Sequence, residues 1–381
     1  MNILYITHYS ENGGANNELL WLASEIKKRG HTVHIAIPTN GSFEKKLKQN
    51  DIPYVIIGYK RWIVRLEEKK NPAKRLRKQI SISLNNYLTA KKIADYVKEN
   101  LIELIHTNDS LTVVGSMAAE ISNIPHVWHL REFLEEDYQR TIVYPPDYIS
   151  RYFEKSWKII CISNAISRKY SPLFSGKNDI QIYDGLPIDD NILLEPKIFS
   201  KNQLKLLFLG GTSVGKGFPQ LVELANLLKN QYHLNFRITV AGDCNDKESY
   251  FPLLKKYMIE TTFDFVGFIS NVNEQFVKND VFLMMSKLEA FGLVTVEAML
   301  GGAIVVGHGI GGTLEILEDK KTGFIYPEND LNAAALILRD ISKGLYPLKQ
   351  IREQAFEAAR EKFNIKRTAT QVLELYKNVK G

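Results

Sequence analysis

Short apolar runs alternate with amphipathic stretches along most of the chain, in the order expected for parallel strands joined by helices. Residues 2–8 and 281–285 have the length and composition of buried strands. The first run is followed by a Gly-rich turn, by helical periodicity over residues 18–29 and by a further apolar run at 31–38. This order predicts an α/β fold built on doubly wound parallel sheets.

The alternating pattern is interrupted at residues 187–203, where prolines, consecutive aspartates and polar residues predict a linker. A chain of 381 residues is too long for one compact core, so we expect two Rossmann-like domains, residues 1–190 and 200–360. The two domains would face a central cleft that holds the ligand. Residues 361–381 are expected to form a C-terminal helix that packs back on the N-terminal domain.

The stretch 286–306 carries the strongest chemical signal. A polar loop holding Glu289 follows an apolar run, and Gly292 then opens a segment with helical character. Free backbone N–H groups at a helix N-terminus attract an anion, and Gly292 leaves no side chain to block its approach. Glu289 and Glu297 can accept hydrogen bonds from hydroxyl groups on either side of that anion, which suits a sugar nucleotide. The alternative is that neither glutamate binds a ligand, with Glu289 an ordinary loop carboxylate and Glu297 a solvated glutamate on the helix surface.

A second Gly-rich loop lies at residues 210–217, Gly-Gly-Thr-Ser-Val-Gly-Lys-Gly. It nearly matches a P-loop, but Gly217 stands where a serine or threonine would hold Mg²⁺, which disfavours a nucleoside triphosphatase. A strand-to-helix loop with one lysine, Lys216, still suits a diphosphate. The alternative is that Lys216 is a solvated surface lysine.

Positive charge is concentrated in one part of the chain. The net charge is +6, and residues 60–92 hold eleven Lys/Arg and two Glu. This segment also contains Trp62, Leu66 and Leu76, so it could attach to an anionic membrane surface through basic and apolar residues together. A solvated helical face is the alternative, and no recognition motif supports nucleic-acid binding.

The chain shows no apolar run long enough to span a bilayer and no basic leader at its N-terminus. Its two cysteines, Cys161 and Cys244, lie in apolar runs and are expected to be buried thiols without a zinc framework. We therefore expect a cytoplasmic protein. The basic segment suggests, as an alternative, a peripheral position on the inner face of the cell membrane.

Two further positions are candidates for substrate contact. Gly13 and Gly14, in the turn after the first strand, would let a substrate lie against the start of the first helix, or they form a simple turn. His129 lies at the end of a predicted strand, before Arg131-Glu132, and is the histidine best placed to face the cleft, ahead of His106. A structural role is the alternative for both histidines.

The segment from Glu289 to Glu297 resembles the E-x₇-E signature of the group 1 (family 4) glycosyltransferases, which are retaining enzymes with the two-domain GT-B fold. Further segments resemble that family in the same order along residues 2–328. They are Gly13-Gly14-Ala15, Ile162-Ser163-Asn164-Ala165, Asp184-Gly185-Leu186-Pro187, Gly215-Lys216-Gly217 and Gly311-Gly312-Thr313-Leu314-Glu315-Ile316.

The resemblance implies a role for each candidate residue. Glu297 would bind the ribose hydroxyls, Glu289 the hydroxyls of the donor sugar, and Lys216 the diphosphate. His129 would contact the sugar, so that His129, Glu289 and Lys216 form the implied catalytic set. The implied donor-binding residues are Gly14, Gly211, Thr212, Lys216, Gly267, Phe268, Glu289, Ala290, Phe291, Gly292, Leu293, Val294 and Glu297.

Two positions depart from the family pattern. Thr212 stands where many members have an arginine that helps to hold the diphosphate, so another cation must replace it or donor affinity falls. Asp184 stands where asparagine is usual, which is a milder change.

The resemblance implies a retaining transfer of sugar from a nucleotide-diphosphate sugar, with a UDP-sugar favoured, to a glycan acceptor. The N-terminal domain would bind the acceptor and the C-terminal domain the sugar nucleotide. The basic segment suggests a lipid-linked acceptor in surface polysaccharide synthesis. No Asp-x-Asp motif is present, so no metal or other cofactor is expected.

Three alternatives remain. The acceptor could be a soluble sugar or metabolite, or the protein could be a non-catalytic sugar-nucleotide-binding subunit, which the threonine at position 212 would favour. An NAD dehydrogenase is disfavoured, because no G-x-G-x-x-G follows the first strand.

Overall fold

The computed structural model describes residues 1–174, 179–200 and 202–380, apart from the side chains of Lys69, Asp137, Tyr138 and Lys380. The chain divides into two compact units. Unit 1 comprises Met1–Pro187 and Ile365–Gly381, and unit 2 comprises Ile188–Asn364. The expected linker therefore belongs to unit 2, and the expected C-terminal segment joins unit 1 from Ile365 onward.

Unit 1 is built on a parallel sheet of seven strands with a small antiparallel pair beside it. Its strands are β1 (Asn2–Ile6), β2 (Thr32–Ile37), β3 (Tyr54–Ile56), β4 (Ile63–Arg65), β5 (Leu104–Thr107), β6 (His126–Leu130), β7 (Arg140–Ile142), β8 (Lys158–Cys161) and β9 (Asp179–Gln181). The large sheet has the order β3-β2-β1-β5-β6-β8-β9, and β4 pairs with β7. Apolar clusters cover both of its faces, which explains why β1 is a continuous apolar run rather than an alternating one.

The helices of unit 1 that precede the domain boundary connect these strands. They are α1 (Gly14–Lys28), α2 (Ser42–Gln49), α3 (Leu66–Lys69), α4 (Pro72–Glu99), α5 (Val114–Ser122), α6 (Glu135–Tyr138), α7 (Pro146–Glu154) and α8 (Asn164–Tyr170), with a 3₁₀ turn at Ser171–Leu173. The longest, α4, begins where the Asn71 side chain accepts a hydrogen bond from the Lys74 N–H and Pro72 supplies a preset helical φ. Within the described residues, no helix is both long enough and apolar enough to cross a bilayer.

The first part of the basic segment does not belong to a solvated helical face. Trp62, Ile63 and Val64 are buried, and β4 pairs with β7 instead of starting a helix. β-branched residues beside a large aromatic side chain favour a strand over a helix, which is the physical reason for the difference.

Unit 2 has a second parallel sheet, of six strands, with the order β12-β11-β10-β13-β14-β15. These strands are β10 (Leu204–Leu209), β11 (Phe236–Ala241), β12 (Phe263–Gly267), β13 (Val281–Met284), β14 (Ile304–His308) and β15 (Phe324–Tyr326). The helices are α9 (Phe218–Asn226), α10 (Phe251–Lys256), α11 (Val272–Lys278), α12 (Leu293–Leu300), α13 (Thr313–Ile316), α14 (Leu331–Ser342) and α15 (Leu348–Lys362). A π-helical turn at Leu227–Gln231 and 3₁₀ turns at Lys247–Tyr250 and Glu260–Thr262 complete the unit.

The last helix, α16 (Ile365–Lys377), returns to the core of unit 1 and ends in a 3₁₀ turn at Asn378–Lys380. Its apolar residues recur at the spacing of one helical face and pack with α1. The Tyr376 hydroxyl lies 3.0 Å from that of Tyr5 in β1. The C-terminal helix expected over 361–381 begins only at Ile365, because the chain breaks at Phe363, which is buried in unit 2 against Phe291.

Candidate functional site

The strand order reverses beside β10 in unit 2, which makes the carboxyl ends of β10 and β13 a topological switch point. These strands are hydrogen-bonded neighbours, with Leu206 opposite Val281. The loop 210–217 follows β10, and the loop that holds Glu289 follows β13. Open α/β sheets bind their ligands at this position, so the two signals found in the sequence lie where the fold favours a site.

Backbone contacts join these two loops. The Lys287 N–H donates to the Gly215 carbonyl oxygen at 3.1 Å. Gly217 has a φ of +91°, and a Cβ there would lie 2.1 Å from the Met285 carbonyl oxygen. A side chain at position 217 would thus force the loops apart, which explains the glycine where a P-loop has a hydroxyl residue.

The Glu289 loop leads into the N-terminus of α12. Gly292 has a φ of +101°, and a Cβ at this position would lie 2.9 Å from Cγ of Glu289. The N–H groups of Leu293 and Val294 belong to the first helical turn, where no acceptor is available within the helix. The geometry therefore presents N–H groups and the positive end of the helix dipole beside a carboxylate.

Lys216 and Glu289 lie close together beside the N-terminus of α12. Nζ of Lys216 lies 3.2 Å from Oε2 of Glu289, with 46% and 18% of the two side chains exposed. A pair this exposed adds little stability. Its position matters more, because an anion at the helix N-terminus would compete for Lys216 and release Glu289 to accept other hydrogen bonds.

Glu297 lies one helical turn into α12 and is half-buried. Burial raises its pKa above the ordinary 4.5, and no described lysine or arginine lies within ion-pair distance of it. A desolvated carboxylate without a cation is costly to the fold. Hydroxyl donors of a ligand would reduce that cost.

The remaining predicted residues of unit 2 lie around these groups. The Glu289 carbonyl oxygen accepts from the Gly312 N–H at 2.8 Å, and Phe291 is buried while Ala290 is half-buried. Gly211 and Gly267 both have positive φ angles, and the Gly267 carbonyl oxygen accepts from the Gly242 N–H at 2.8 Å. Phe268 is 84% exposed, so its ring is free to cover a planar ligand group.

Thr212 is buried, and it stands where the resemblance implies an arginine. Its hydroxyl donates to Oδ1 of Asp246 at 2.7 Å, while its N–H donates to the Asp243 carbonyl oxygen at 2.8 Å. Thr212 therefore fastens the loop after β10 to the loop after β11. A second cation at this edge is Lys287, which the sequence analysis did not single out and whose backbone contacts the Lys216 loop.

Gly14 and His129 lie in unit 1. Gly14 is the exposed first residue of α1. His129 is fully buried, with Nδ1 at 3.2 Å from Nε2 of His106 and 3.3 Å from the Arg131 guanidinium. Burial, with Arg131 and His106, holds the pKa of His129 well below 6.5, so the ring is neutral. Its contact with the sugar stays a prediction.

The same network joins other buried groups of unit 1. Arg131 forms an ion pair with Asp184 at 2.5 Å, and Nδ1 of His106 lies 2.6 Å from the Tyr376 hydroxyl on α16. These polar contacts link the sheet, the domain boundary and the C-terminal helix, which gives the buried histidines a structural role.

Sequence reasoning missed a polar cluster at the switch point of the unit 1 sheet. His8, Asp109 and Glu132 each stand two residues after a strand, and the strands β1, β5 and β6 are neighbours in the sheet. Nδ1 of His8 lies 3.2 Å from Oδ2 of Asp109. The shared offset after consecutive parallel strands was the available signal.

This cluster has altered proton affinities. Burial opposes protonation of His8, but the charge and hydrogen bond of Asp109 outweigh it and raise the pKa of His8 above 6.5. Burial and the nearby Asp109 charge raise the pKa of Glu132 to about 7. Such shifts are frequent at ligand sites, and they also occur in structural networks.

Two family models match the chain. The model described as "Glycosyl transferases group 1" matches residues 191–361, and the one described as "Glycosyltransferase Family 4" matches residues 12–180. Each match lies wholly within one of the two units.

Related proteins match most of the chain at low identity. An uncharacterised glycosyltransferase of Methanocaldococcus jannaschii is 25% identical over 298 residues, covering 72% of this chain and 75% of the relative. An uncharacterised 42.6 kDa protein in the cps region of Klebsiella pneumoniae is 23% identical over 404 residues, covering 99% and 98%.

Solved structures share the fold over the whole chain. The crystal structure of Anabaena Alr3699/HepE in complex with UDP has a TM-score of 0.78 at 20% identity and covers 99% of this chain and 100% of that chain. The same protein in complex with UDP-glucose has a TM-score of 0.74 with the same identity and coverage.

Proposed function

The chain belongs to the group 1 glycosyltransferases, and we propose that it transfers a sugar, with retention of configuration, from a UDP-sugar to a lipid-linked glycan acceptor. One observation carries the donor half of this proposal. Lys216 and Glu289 meet beside the N-terminus of α12, at the switch point of the unit 2 sheet. A diphosphate needs a cation and free N–H groups, and a sugar needs acceptors for its hydroxyls.

UDP is the donor nucleotide that the comparisons favour. Anabaena HepE, which shares the fold, has been crystallised with UDP and with UDP-glucose. Phe268 and the Gly267 backbone at the end of β12 would then border the base, and Glu297 would accept hydrogen bonds from the ribose hydroxyls.

Departure of the nucleoside diphosphate builds negative charge on its β-phosphate. Lys216 and the N–H groups of Leu293 and Val294 would stabilise that charge where it develops. Once Lys216 pairs with the diphosphate, Glu289 is free to orient the donor sugar through its hydroxyls. The fixed loops hold these groups in place before reaction, so little reorganisation is needed.

Retention follows if the acceptor attacks the face that the leaving group departs from. The bond between the anomeric carbon and the β-phosphate oxygen breaks, and the acceptor oxygen bonds to the same carbon. The proton of the acceptor hydroxyl passes to the departing phosphate oxygen. The products are the glycosylated acceptor and UDP.

A role in polysaccharide synthesis is supported by the related protein in the cps region of Klebsiella pneumoniae. The test is release of UDP from a panel of UDP-sugars, with and without membrane lipid extract as the source of acceptor. Extract-dependent UDP release with labelled sugar in the lipid fraction supports the proposal. Labelled sugar only in soluble products favours a soluble acceptor, and absence of turnover favours a non-catalytic binding subunit.

Membrane attachment has a structural basis in α4. Leu76, Ile80, Leu84 and Leu88 recur every four residues on this helix, and each is 52–61% exposed. Exposed lysines and arginines flank this apolar stripe, including Lys70, Lys74 and Arg77. We propose that the stripe enters the surface of an anionic membrane while the cations contact lipid phosphates.

Replacing Lys70, Lys74 and Arg77 together by glutamine is expected to weaken binding to anionic vesicles about a hundredfold. Each cation near such a surface contributes about 1 kcal/mol, so three contribute about 3 kcal/mol. Vesicle sedimentation measures the effect. A triple variant of exposed unit 2 lysines, Lys229, Lys255 and Lys278, is the control and should bind as the wild type does.

Donor binding should be equal in both variants, since the changes lie outside the donor site. Equal vesicle binding by the wild type and the variant at Lys70, Lys74 and Arg77 would contradict membrane attachment through α4 and the turn before it.

A further inference from the structure

A cavity of about 590 Å³ opens at the carboxyl ends of β1 and β2 in unit 1. Its walls come from the loops after β1 and β2, from the segment between β3 and β4, from the first residues of β4 and β7, and from one side of α4. The volume is in the range of small-molecule sites. It is much larger than a phosphate group, so a ligand that fills it has a further part.

Positive charge dominates the lining of the cavity. Four cationic side chains line it, Lys60, Arg61, Lys78 and Arg140. Glu11 is the carboxylate among the described lining residues, and it already accepts hydrogen bonds from the N–H and hydroxyl of one serine in α2.

The four cations are not equivalent. Lys78 forms an ion pair with Glu68 at 2.5 Å, and Nζ of Lys60 donates to a serine hydroxyl at 2.8 Å. For Arg61 and Arg140, no described carboxylate lies within ion-pair distance. Two guanidinium groups that line one cavity, neither of them in an ion pair with a described carboxylate, can bind an anion, because each can donate two parallel hydrogen bonds to a phosphate.

The rest of the lining is suited to hydroxyl groups. His8, held by Asp109, lines the cavity together with Tyr9 and Ser10. The Ser10 hydroxyl contacts Thr39, which also lines it. A ligand with an anionic group and several hydroxyls therefore fits both parts of the surface.

We propose that this cavity binds the acceptor through a phosphate group, so that the acceptor is a glycosyl phosphate or diphosphate whose anionic group lies between Arg61 and Arg140. The assignment rests on the proposed function. It extends that function by giving the acceptor a chemical class and a site.

Helix α4 connects the cavity with the proposed membrane surface. Lys78, Ser81 and Ile82 line the cavity, while Ile80 and Leu84 on the same turns belong to the exposed apolar stripe. A phosphate at the head of a membrane lipid could thus reach the cavity from that surface. A free sugar phosphate has the same recognition chemistry, so the experiment must distinguish these two sources.

Inorganic diphosphate is a suitable probe, and calorimetry is the measurement. The background is the Lys216→Ala protein, because the donor site also attracts diphosphate. This protein should bind diphosphate, and adding Arg61→Ala and Arg140→Ala should weaken binding about a hundredfold, since two charge-assisted contacts are lost.

Two matched variants keep the result interpretable. Adding Arg151→Ala instead, at an exposed arginine outside the cavity, should leave binding unchanged. Adding Arg61→Lys and Arg140→Lys should weaken binding less than the alanines, because the charge remains and the paired donors are lost. If the alanine variant is folded by circular dichroism and still binds diphosphate as its parent does, the proposal is overturned.

Competition identifies the source of the phosphate. Phosphatidylcholine vesicles with and without a polyprenyl phosphate, and glucose 1-phosphate in solution, are added to the Lys216→Ala protein with bound diphosphate. Displacement of the diphosphate by either compound supports a phosphate-bearing acceptor, and the compound that displaces it identifies the source. If neither compound displaces the diphosphate, the proposal is contradicted. Diphosphate binding is measured without turnover. A failure of the proposed acceptor site can therefore be distinguished from a failure of the proposed transferase activity.

Discussion

Replacing Lys216 by alanine is expected to lower kcat for sugar transfer by about 10²–10³-fold, which is the cost of removing one positioned group that stabilises developing charge. The reason is the location of Nζ, 3.2 Å from Glu289 and beside the N-terminus of α12. Charge on the departing β-phosphate would then be met by the helix N–H groups alone. The rate of UDP release at saturating donor measures the effect.

The matched control is Lys229→Ala, which removes an exposed lysine from the same unit and should leave kcat unchanged. Lys216→Arg should recover part of the rate, because the charge is kept in a different geometry. A kcat for Lys216→Ala within twofold of the wild type would show that this lysine does not act on the leaving group.

Replacing Glu297 by glutamine is expected to weaken UDP binding about 10–100-fold, since a charged acceptor for the ribose hydroxyls is replaced by a neutral amide. The same change should stabilise the ligand-free protein at neutral pH, because burial raises the pKa of Glu297 and the fold therefore opposes its ionisation. Opposite effects on binding and on the free energy of unfolding distinguish a ligand-binding carboxylate from one that only supports the fold.

The sign of the pH dependence follows from the raised pKa. Relative to the Glu297→Gln variant, the wild type is most stable below pH 4.5, the ordinary pKa of a glutamate. At such a pH the Glu297 carboxyl is protonated in both the folded and the unfolded state. As the pH rises through the folded pKa the wild type loses stability, and the variant does not. Denaturant unfolding at several pH values measures the difference. Glu223→Gln, at an exposed position on α9, should show neither the difference in stability nor the loss of UDP affinity.

The family and the GT-B fold, with two Rossmann-like domains, were predicted from the sequence and are confirmed. This was possible because the informative residues are close together along the chain. Glu289, Gly292 and the glycines after α12 form one local strand–loop–helix unit, whose geometry follows from local rules. The structure shows why Gly292 is a glycine, since its φ is positive and Glu289 lies against it.

The arrangement in unit 1 could not be predicted in the same way. His8 and Asp109 are a hundred residues apart, and only the adjacency of β1 and β5 in the sheet brings them together. His129 was singled out from its position at a strand end, but that position does not reveal that His106 and Arg131 enclose it. Burial and long-range pairing depend on the complete sheet order.

The basic segment shows the same limit. Its basic and apolar composition could be read from the sequence, but Trp62 is buried and the exposed apolar residues are those of α4. Composition alone does not tell which residues of a mixed segment face solvent. The periodicity of Leu76, Ile80 and Leu84 carries that information once the start of the helix is known.

Hydrogen exchange in the presence of UDP shows whether a nucleoside diphosphate binds at the N-terminus of α12. We expect saturating UDP to slow exchange of backbone amides in residues 213–217 and 289–297, since these loops and the first helical turn would surround the diphosphate. Amides of the unit 2 surface around Lys255 and Lys278 should exchange unchanged. UDP binding that protects other segments and leaves residues 289–297 unaffected would contradict the account.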